Sequence, residues 1–370
     1  MRSPSRTLAS ADVETWRERE AGIDAQGMRA HIADFPDQLA AGTDSAKSFV
    51  KSLDVPSSGS TAVAVVGMGG SAIGGDLVAA WTADRRSLPL RVIRGYELPQ
   101  WLDQGTTLIV SSYSGNTEET VACYEAAQQR GLAVIVIATG GRVAQMARDA
   151  GDPWHELPAG FPPRAALGHS LSAVALVTAR LDPVLDVEAD ADRLHGAAEW
   201  LRPLSERWLA WSDENPALEI AASMFNRLPI VYGGHPTSIA AAARWKTQLN
   251  ENGKTPAYSG ELPEHNHNEI VAFEGDVPVV REMVLVYLET PWDDPRVRRR
   301  FDFVHDYCRG RVALQHRIVA TGDLPIDGML ELCYLGDCTS FMVSIINGQN
   351  PTPVASIDGL KNKLKGQTSQ

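Results

Sequence analysis

Cysteine is scarce in this chain: four in 370 residues (Cys123, Cys308, Cys333 and Cys338), none in CxxC spacing. That excludes a disulfide framework and leaves no thiolate cluster for zinc, so they read as reduced thiols of a cytoplasmic protein. No uninterrupted apolar run approaches the roughly 18 residues that would mark a membrane span. Nor does an apolar stretch follow Arg2 and Arg6, as a secretory signal would require. Positive charge is also in short supply. Lys plus Arg is 34 against 46 for Asp plus Glu, a formal net charge of −12, with no basic run. Nucleic acid and anionic lipid are therefore poor partners. A phosphorylated metabolite would be repelled too, unless a pocket is locally positive.

What remains is an ordinary soluble composition, 44% hydrophobic and 22% charged, long enough for two domains. Residues 10–55 carry a helical pattern, with Ile23, Met28, Ile32 and Phe35 on one face. Short apolar runs at 61–66, 90–93, 107–110 and 133–137 alternate with helical stretches, one of them starting at Asp76. Strands that are apolar throughout and separated by helices predict a parallel sheet covered on both faces. Residues 170–225 read as mostly helical. Strand-like runs resume at 228–232, 283–287 and near 311–314, and a long apolar helix runs from Met329 to Ile346, ended by Asn347 and Gly348. The expected fold is α/β, two similar doubly wound parallel-sheet domains (1–190 and 191–370) with helical N-terminal, linking and C-terminal segments.

Gly67-x-Gly69-x-x-Ala72 lies between a strand and a helix, as in dinucleotide-binding proteins. A nicotinamide site also wants an acidic residue after the second strand; here that strand ends in Arg94. An NADP-dependent oxidoreductase stays open on this point alone. The third strand leads into Ser112-Tyr-Ser114-Gly-Asn-Thr117, dense in hydroxyls and directly before a helix, where free backbone N–H groups favour an anion. Helix capping by Asn116 or Thr117 would need only one such residue. Two anion-friendly loops at adjacent strand ends predict a phosphate pocket, to which Arg164, held behind two prolines, could add a guanidinium.

The segment from Arg244 to Ile270 is richest in acid–base chemistry. A helix from about Thr237 to a Gly253 cap places Glu251 in its last turn. Exposed carbonyls there disfavour the ionised carboxylate, a setting that suits a general base. A solvated Glu251 paired with Lys254 is the plain alternative. Glu264, His267 and Glu269 form a further cluster. His265 and His267, two apart with no further histidine motif, make poor zinc spacing, so proton transfer by His267 is the better reading.

Taken in order, Gly-Met-Gly-Gly-Ser71, the 112–120 loop, Pro163-Arg-Ala-Ala-Leu167, Lys246-x-x-x-Asn250-Glu-Asn252 and His267-Asn-Glu-Ile270 resemble the bifunctional phosphoglucose/phosphomannose isomerases. This family belongs to the phosphoglucose isomerase superfamily and is built from two sugar isomerase (SIS) domains. The resemblance spans residues 60–365. It implies phosphate contacts at Ser71, Ser112, Ser114 and Thr117, with Gly69 and Gly70 giving close backbone approach. It implies Glu251 as base, Arg164 facing the enediolate oxygens, and His267 and Lys361 in ring opening. It further implies a homodimer whose sites share His267, and a place in glycolysis and gluconeogenesis. No metal or cofactor is called for. His265 and His169 stand where other aromatic residues are expected. A non-catalytic phosphosugar-binding regulator would keep the hydroxyl loop and lose Glu251, His267 and Lys361, all of which this chain retains.

Overall fold

In the computed structural model, which describes residues 10–54 and 59–367, the apolar runs of the sequence become parallel strands. Arg2 and Arg6 lie outside the described residues. The N-terminal helical region is three helices, α1 (Ser10–Ile23), α2 (Met28–Ala33) and α3 (Phe35–Lys51). Gly27, at φ 69, and Pro36 in the first turn of α3 set the breaks. Next come β1 (Ala62–Val66), α4 (Gly69–Trp81), β2 (Leu90–Ile93), β3 (Thr106–Ser111), α5 (Glu118–Gln129), β4 (Ala133–Ala138), α6 (Gly141–Ala150) and β5 (Trp154–Glu156). They build an all-parallel sheet in the order β2-β1-β3-β4-β5. Helices α7 (Leu167–Leu181), α8 (Val187–Leu209) and α9 (Pro216–Ser223) link it to the second sheet. That sheet comprises β6 (Leu228–Gly233), α10 (Pro236–Glu251), β7 (Tyr258–Glu261), α11 (Pro278–Arg281), β8 (Met283–Glu289), α12 (Pro295–Cys308) and β9 (Leu314–Val319). Its strands are also parallel, in the order β7-β6-β8-β9. Helices α13 (Pro325–Ile346) and α14 (Ala355–Gln367) follow.

Side chains alternate across each strand, so the central strands β1, β3, β4, β6 and β8 each feed two cores. Val63, Val65, Ile109, Ile135 and Ile137 face inward from the first sheet, and Val231, Val284, Val286 and Leu288 from the second. All nine belong to one apolar cluster shared with α3, α7, α8, α10 and α13. The opposite faces pack separately, Ala64, Val66, Leu108 and Val110 under α5 and α6, and Tyr232, Leu285 and Tyr287 under α12. The two sheets therefore sit on one common core.

Several sequence expectations shift. The boundary between 190 and 191 falls inside α8, one continuous helix. The strand expected near 311–314 lies at Leu314–Val319, because Gln315, His316 and Arg317 occupy the middle of this edge strand and leave no apolar run to mark it. The first helix after the glycine loop begins at Gly69, not Asp76, so the loop is itself the opening turns of α4. No uninterrupted apolar run of about 18 residues is needed for a helix to be apolar on average, as α13 shows with Glu331 and Asp337 inside it. By length and mean hydropathy α13 qualifies as a possible span, yet it lies wholly inside the protein.

Candidate active site

In the first sheet the chain runs from β1 to β2 on one side and returns to β3 on the other. The crevice beyond β1 and β3 is thus a switch point, where open parallel sheets take ligands. Both expected phosphate loops end there. Met68 caps α4 and Thr117 caps α5, and neither makes a side-chain cap hydrogen bond. Capping thus does not account for the hydroxyls. Ser112 Oγ donates to Thr117 Oγ1 at 3.2 Å, and the Tyr113 N–H donates to Ser71 Oγ at 3.0 Å. Ser71 and Ser112 are buried while Ser114 is exposed and Thr117 half-buried. The loop turns at Gly115 (φ +67), where a Cβ would lie 1.8 Å from the Gly140 carbonyl oxygen; only glycine fits. Asp76 forms an ion pair with Arg94, so the arginine that ends the second strand is already engaged.

These loops are tied directly to Arg164. A Cβ on Gly70 would meet the Pro163 carbonyl oxygen at 3.0 Å and Arg164 Cα at 3.1 Å, so the glycine lets α4 press against the Arg164 turn. From the other side, the Tyr113 hydroxyl donates to the Pro158 carbonyl at 2.9 Å and accepts the Phe161 N–H at 3.0 Å. Tyr113 lies inside the hydroxyl loop, yet nothing in its sequence setting marks it as the anchor of a segment 45 residues on.

Arg164 is buried, 4% exposed, and its Nη1 stands 3.7 Å from Glu251 Oε2. Its Nε donates to Asn252 Oδ1 at 2.6 Å, and its Nη2 to the Pro351 and Thr352 carbonyls at 2.7 and 2.8 Å. Burial pulls the Arg164 pKa down, Glu251 opposes that, and Arg244 adds to it. Glu251 is the last residue of α10, with Asn252 rather than Gly253 as the cap. The left-handed residue is Lys254, at φ 50. Its Nζ donates to the Glu251 carbonyl (2.5 Å) and to the Pro351 and Pro353 carbonyls rather than to the Glu251 carboxylate, whose charge it still feels. Behind Arg164, the buried Arg244 holds the Arg164 carbonyl at 3.1 Å and the Asp337 carboxylate of α13 at 2.5 Å.

The structure thus joins Gly69, Gly70, Ser71, Ser112, Ser114 and Thr117 in one crevice, with Arg164 and Glu251 contiguous to it. It does not bring His267 or Lys361 there. His267 is exposed on a short 3₁₀ turn, Glu264–His267, and among the described residues no hydrogen bond or ion pair links it to Glu251 or Arg164. Lys361 is exposed on α14. Nearby, Glu269 accepts the Tyr232 hydroxyl (3.2 Å) and Glu264 accepts the Asn268 amide (2.6 Å). His265 is fully buried against Tyr232 and Phe273, both ring nitrogens unpartnered, and burial drives its pKa down to about 4. It is an aromatic core residue rather than half of a ligand pair. His169 likewise packs edge-on against Phe161, its pKa lowered by burial with Asp34 opposing.

Two parallel sheets of this kind, with a hydroxyl loop at a switch point, define a two-domain SIS protein. Residues 213–364 match the bacterial phospho-glucose isomerase C-terminal SIS domain. A hypothetical protein from Thermus thermophilus shares the fold, at a TM-score of 0.75 and 15% identity, over 97% of this chain and 95% of that one. The chain is 35% identical over 339 residues to the bifunctional phosphoglucose/phosphomannose isomerase of Caldicellulosiruptor bescii, across 91% of this chain and 98% of the relative. Identity is 33% over 301 residues to the protein of the same name from Aquifex aeolicus, across 81% and 89%. The chain belongs to the bifunctional phosphoglucose/phosphomannose isomerase family.

Proposed function

We propose that this chain interconverts glucose 6-phosphate and mannose 6-phosphate with fructose 6-phosphate through a cis-enediolate. The observation that carries this reading is the Arg164–Glu251 pairing at 3.7 Å, locked through Gly70 to the hydroxyl crevice. The crevice takes the phosphate on the open amides of α4 and α5 and the hydroxyls of Ser71, Ser112, Ser114 and Thr117. Anchoring that end presents C1 and C2 to Glu251. Glu251 takes the C2 proton and returns it at C1, while the second proton passes between O1 and O2. Arg164 Nη1 faces the oxygens where negative charge develops. The reaction is redox-neutral, so no nicotinamide is consumed. The same reading places the protein in cytoplasmic hexose phosphate metabolism, in glycolysis and gluconeogenesis.

Ring opening falls to His267 and Lys361. Their exposure, away from Glu251, supports a homodimer in which His267 enters the partner's pocket, giving two equivalent shared sites. Subunit mixing tests base and sharing together. Glu251→Gln should lower turnover about 10²–10⁴-fold, as loss of a general base does, with fructose 6-phosphate binding kept. Refolded with inactive His267→Ala, it should recover about a quarter of wild-type activity, since one pocket of each mixed dimer is intact. Mixed dimers without recovery would make each site self-contained. Near-normal turnover of Glu251→Gln would remove Glu251 from the chemistry.

A further inference from the structure

We infer that Asn252 is a positioning residue that fixes the Arg164 guanidinium so that it faces Glu251 as an ion pair without donating a hydrogen bond to it. This rests on the reading of Glu251 as base. Arg164 has five N–H donors. One goes to Asn252 Oδ1 and two, on Nη2, to the Pro351 and Thr352 carbonyls. Only the two donors on Nη1 remain, and at 3.7 Å from Glu251 Oε2 they are beyond hydrogen-bond reach of it. Those two donors are therefore open toward the place where O1 and O2 of the sugar would lie.

Asn252 can hold this arrangement because its own amide has one permitted orientation. It is 0% exposed. Arginine Nε only donates, so the atom facing it must be Oδ1. Nδ2 then donates to Ser340 Oγ at 3.0 Å, and Ser340 spends its own hydroxyl proton on the Asp337 carbonyl at 2.7 Å, leaving a lone pair for the amide. Polarity runs one way along the chain Arg164, Asn252, Ser340, Asp337. Without Oδ1 only the Nη2 bonds to the Pro351 and Thr352 carbonyls hold the guanidinium, so Nη1 can close on Glu251 Oε2 in a charge-assisted hydrogen bond. Such a bond would stabilise the ionised base and fill the space meant for the sugar oxygens. Asn252 follows Glu251 in the chain, so one turn of backbone sets both the base and the orientation of its neighbour.

The charged groups around Glu251 are Arg164, Lys254, whose Nζ bonds the Glu251 carbonyl, and Arg244 behind Arg164, compensated by Asp337. Asn252→Leu removes the acceptor and fills its volume. It should lower kcat about 10²-fold, the scale of a misplacement near 1 Å, with KM for fructose 6-phosphate changed far less. The acid limb of kcat/KM should move to lower pH, because a closer guanidinium favours the ionised base. Asn252→Ala, measured alongside, should do the same if the leucine variant does not fold. Ser340→Ala strips the acceptor that holds Asn252 Nδ2 and should shift both readouts the same way by a smaller amount. Wild-type kcat and acid limb in both Asn252 variants would overturn the inference. A wild-type protein that isomerises none of the three sugar phosphates would defeat the functional reading itself, before any variant is compared, and this inference with it.

Discussion

Asp337→Ala should separate what the buried ion pair contributes to stability from what it contributes to the site. Arg244 and Asp337 have side chains only 2% and 6% exposed and meet at 2.5 Å, joining α10 to α13. Removing the carboxylate leaves a guanidinium out of water, with the Arg164 carbonyl as its other polar partner. Breaking a buried pair in this way costs about 3–5 kcal/mol, or about 10²–10⁴ in the unfolding equilibrium at roughly 1.4 kcal/mol per tenfold. The intact pair as a whole contributes far less. Burial pushes the Asp337 pKa up more than Arg244 pulls it back, so desolvation outweighs the attraction. Replacing both members with apolar residues, Arg244→Met with Asp337→Leu, should therefore regain most of the lost stability. Activity should not return with it, since methionine cannot hold the Arg164 carbonyl. Urea unfolding followed by tryptophan fluorescence reads the first quantity, and a coupled fructose 6-phosphate assay the second. An unchanged unfolding midpoint in Asp337→Ala would refute the claim of compensation. Wild-type turnover in the stable double variant would show that Arg244 has no part in placing Arg164.

Ser114→Ala and Thr117→Ala should each weaken fructose 6-phosphate binding by about 1.5–3 kcal/mol, the range for hydrogen bonds to a charged group; equal losses for unphosphorylated fructose, by calorimetry, would make the loop merely structural. His265→Phe should stabilise the protein by about 1–3 kcal/mol, because two buried ring nitrogens without partners are removed. The folded pKa of His265, about 4, lies below the unfolded value near 6.5. Its contribution is therefore full above pH 6.5 and is lost as pH falls toward 4. The phenylalanine variant should flatten that slope, and an identical slope in both proteins would assign it elsewhere.

The central strands were legible because each is an apolar run between helices: 62–66, 106–111, 133–138 and 283–289 all lie where the sequence placed them, within a residue or two. The edge strand β2 was legible in the same way, at 90–93, but the edge strands β5 and β7 were not. Tyr258–Glu261 contains serine, glycine and glutamate and pairs on one side only, so neither periodicity nor composition marks it. The crevice residues and the Glu251–Arg164 neighbourhood could be named from short motifs, since those motifs carry hydroxyls and charges that have no packing purpose. Asn252 sat inside such a motif without a role, because its work is an acceptor bond to a residue 88 positions earlier. Arg244 and Asp337 left no signal at all: their meeting depends on how α10 and α13 cross.

Helix α13 has consequences for synthesis. It packs against α10, α9 and α8, and also touches α1, α2 and α4, so one helix near the end of the chain closes apolar surfaces laid down hundreds of residues earlier. A ribosome that has made only the chain before α13 holds two sheets that can form but whose shared interior gapes along one side. The nascent protein waits for a long apolar helix, a segment a holding chaperone would be drawn to, and Asp337 arrives on that same helix to meet Arg244. Completion of the interior and completion of the support behind Arg164 are thus a single late event, and an unfinished chain has neither.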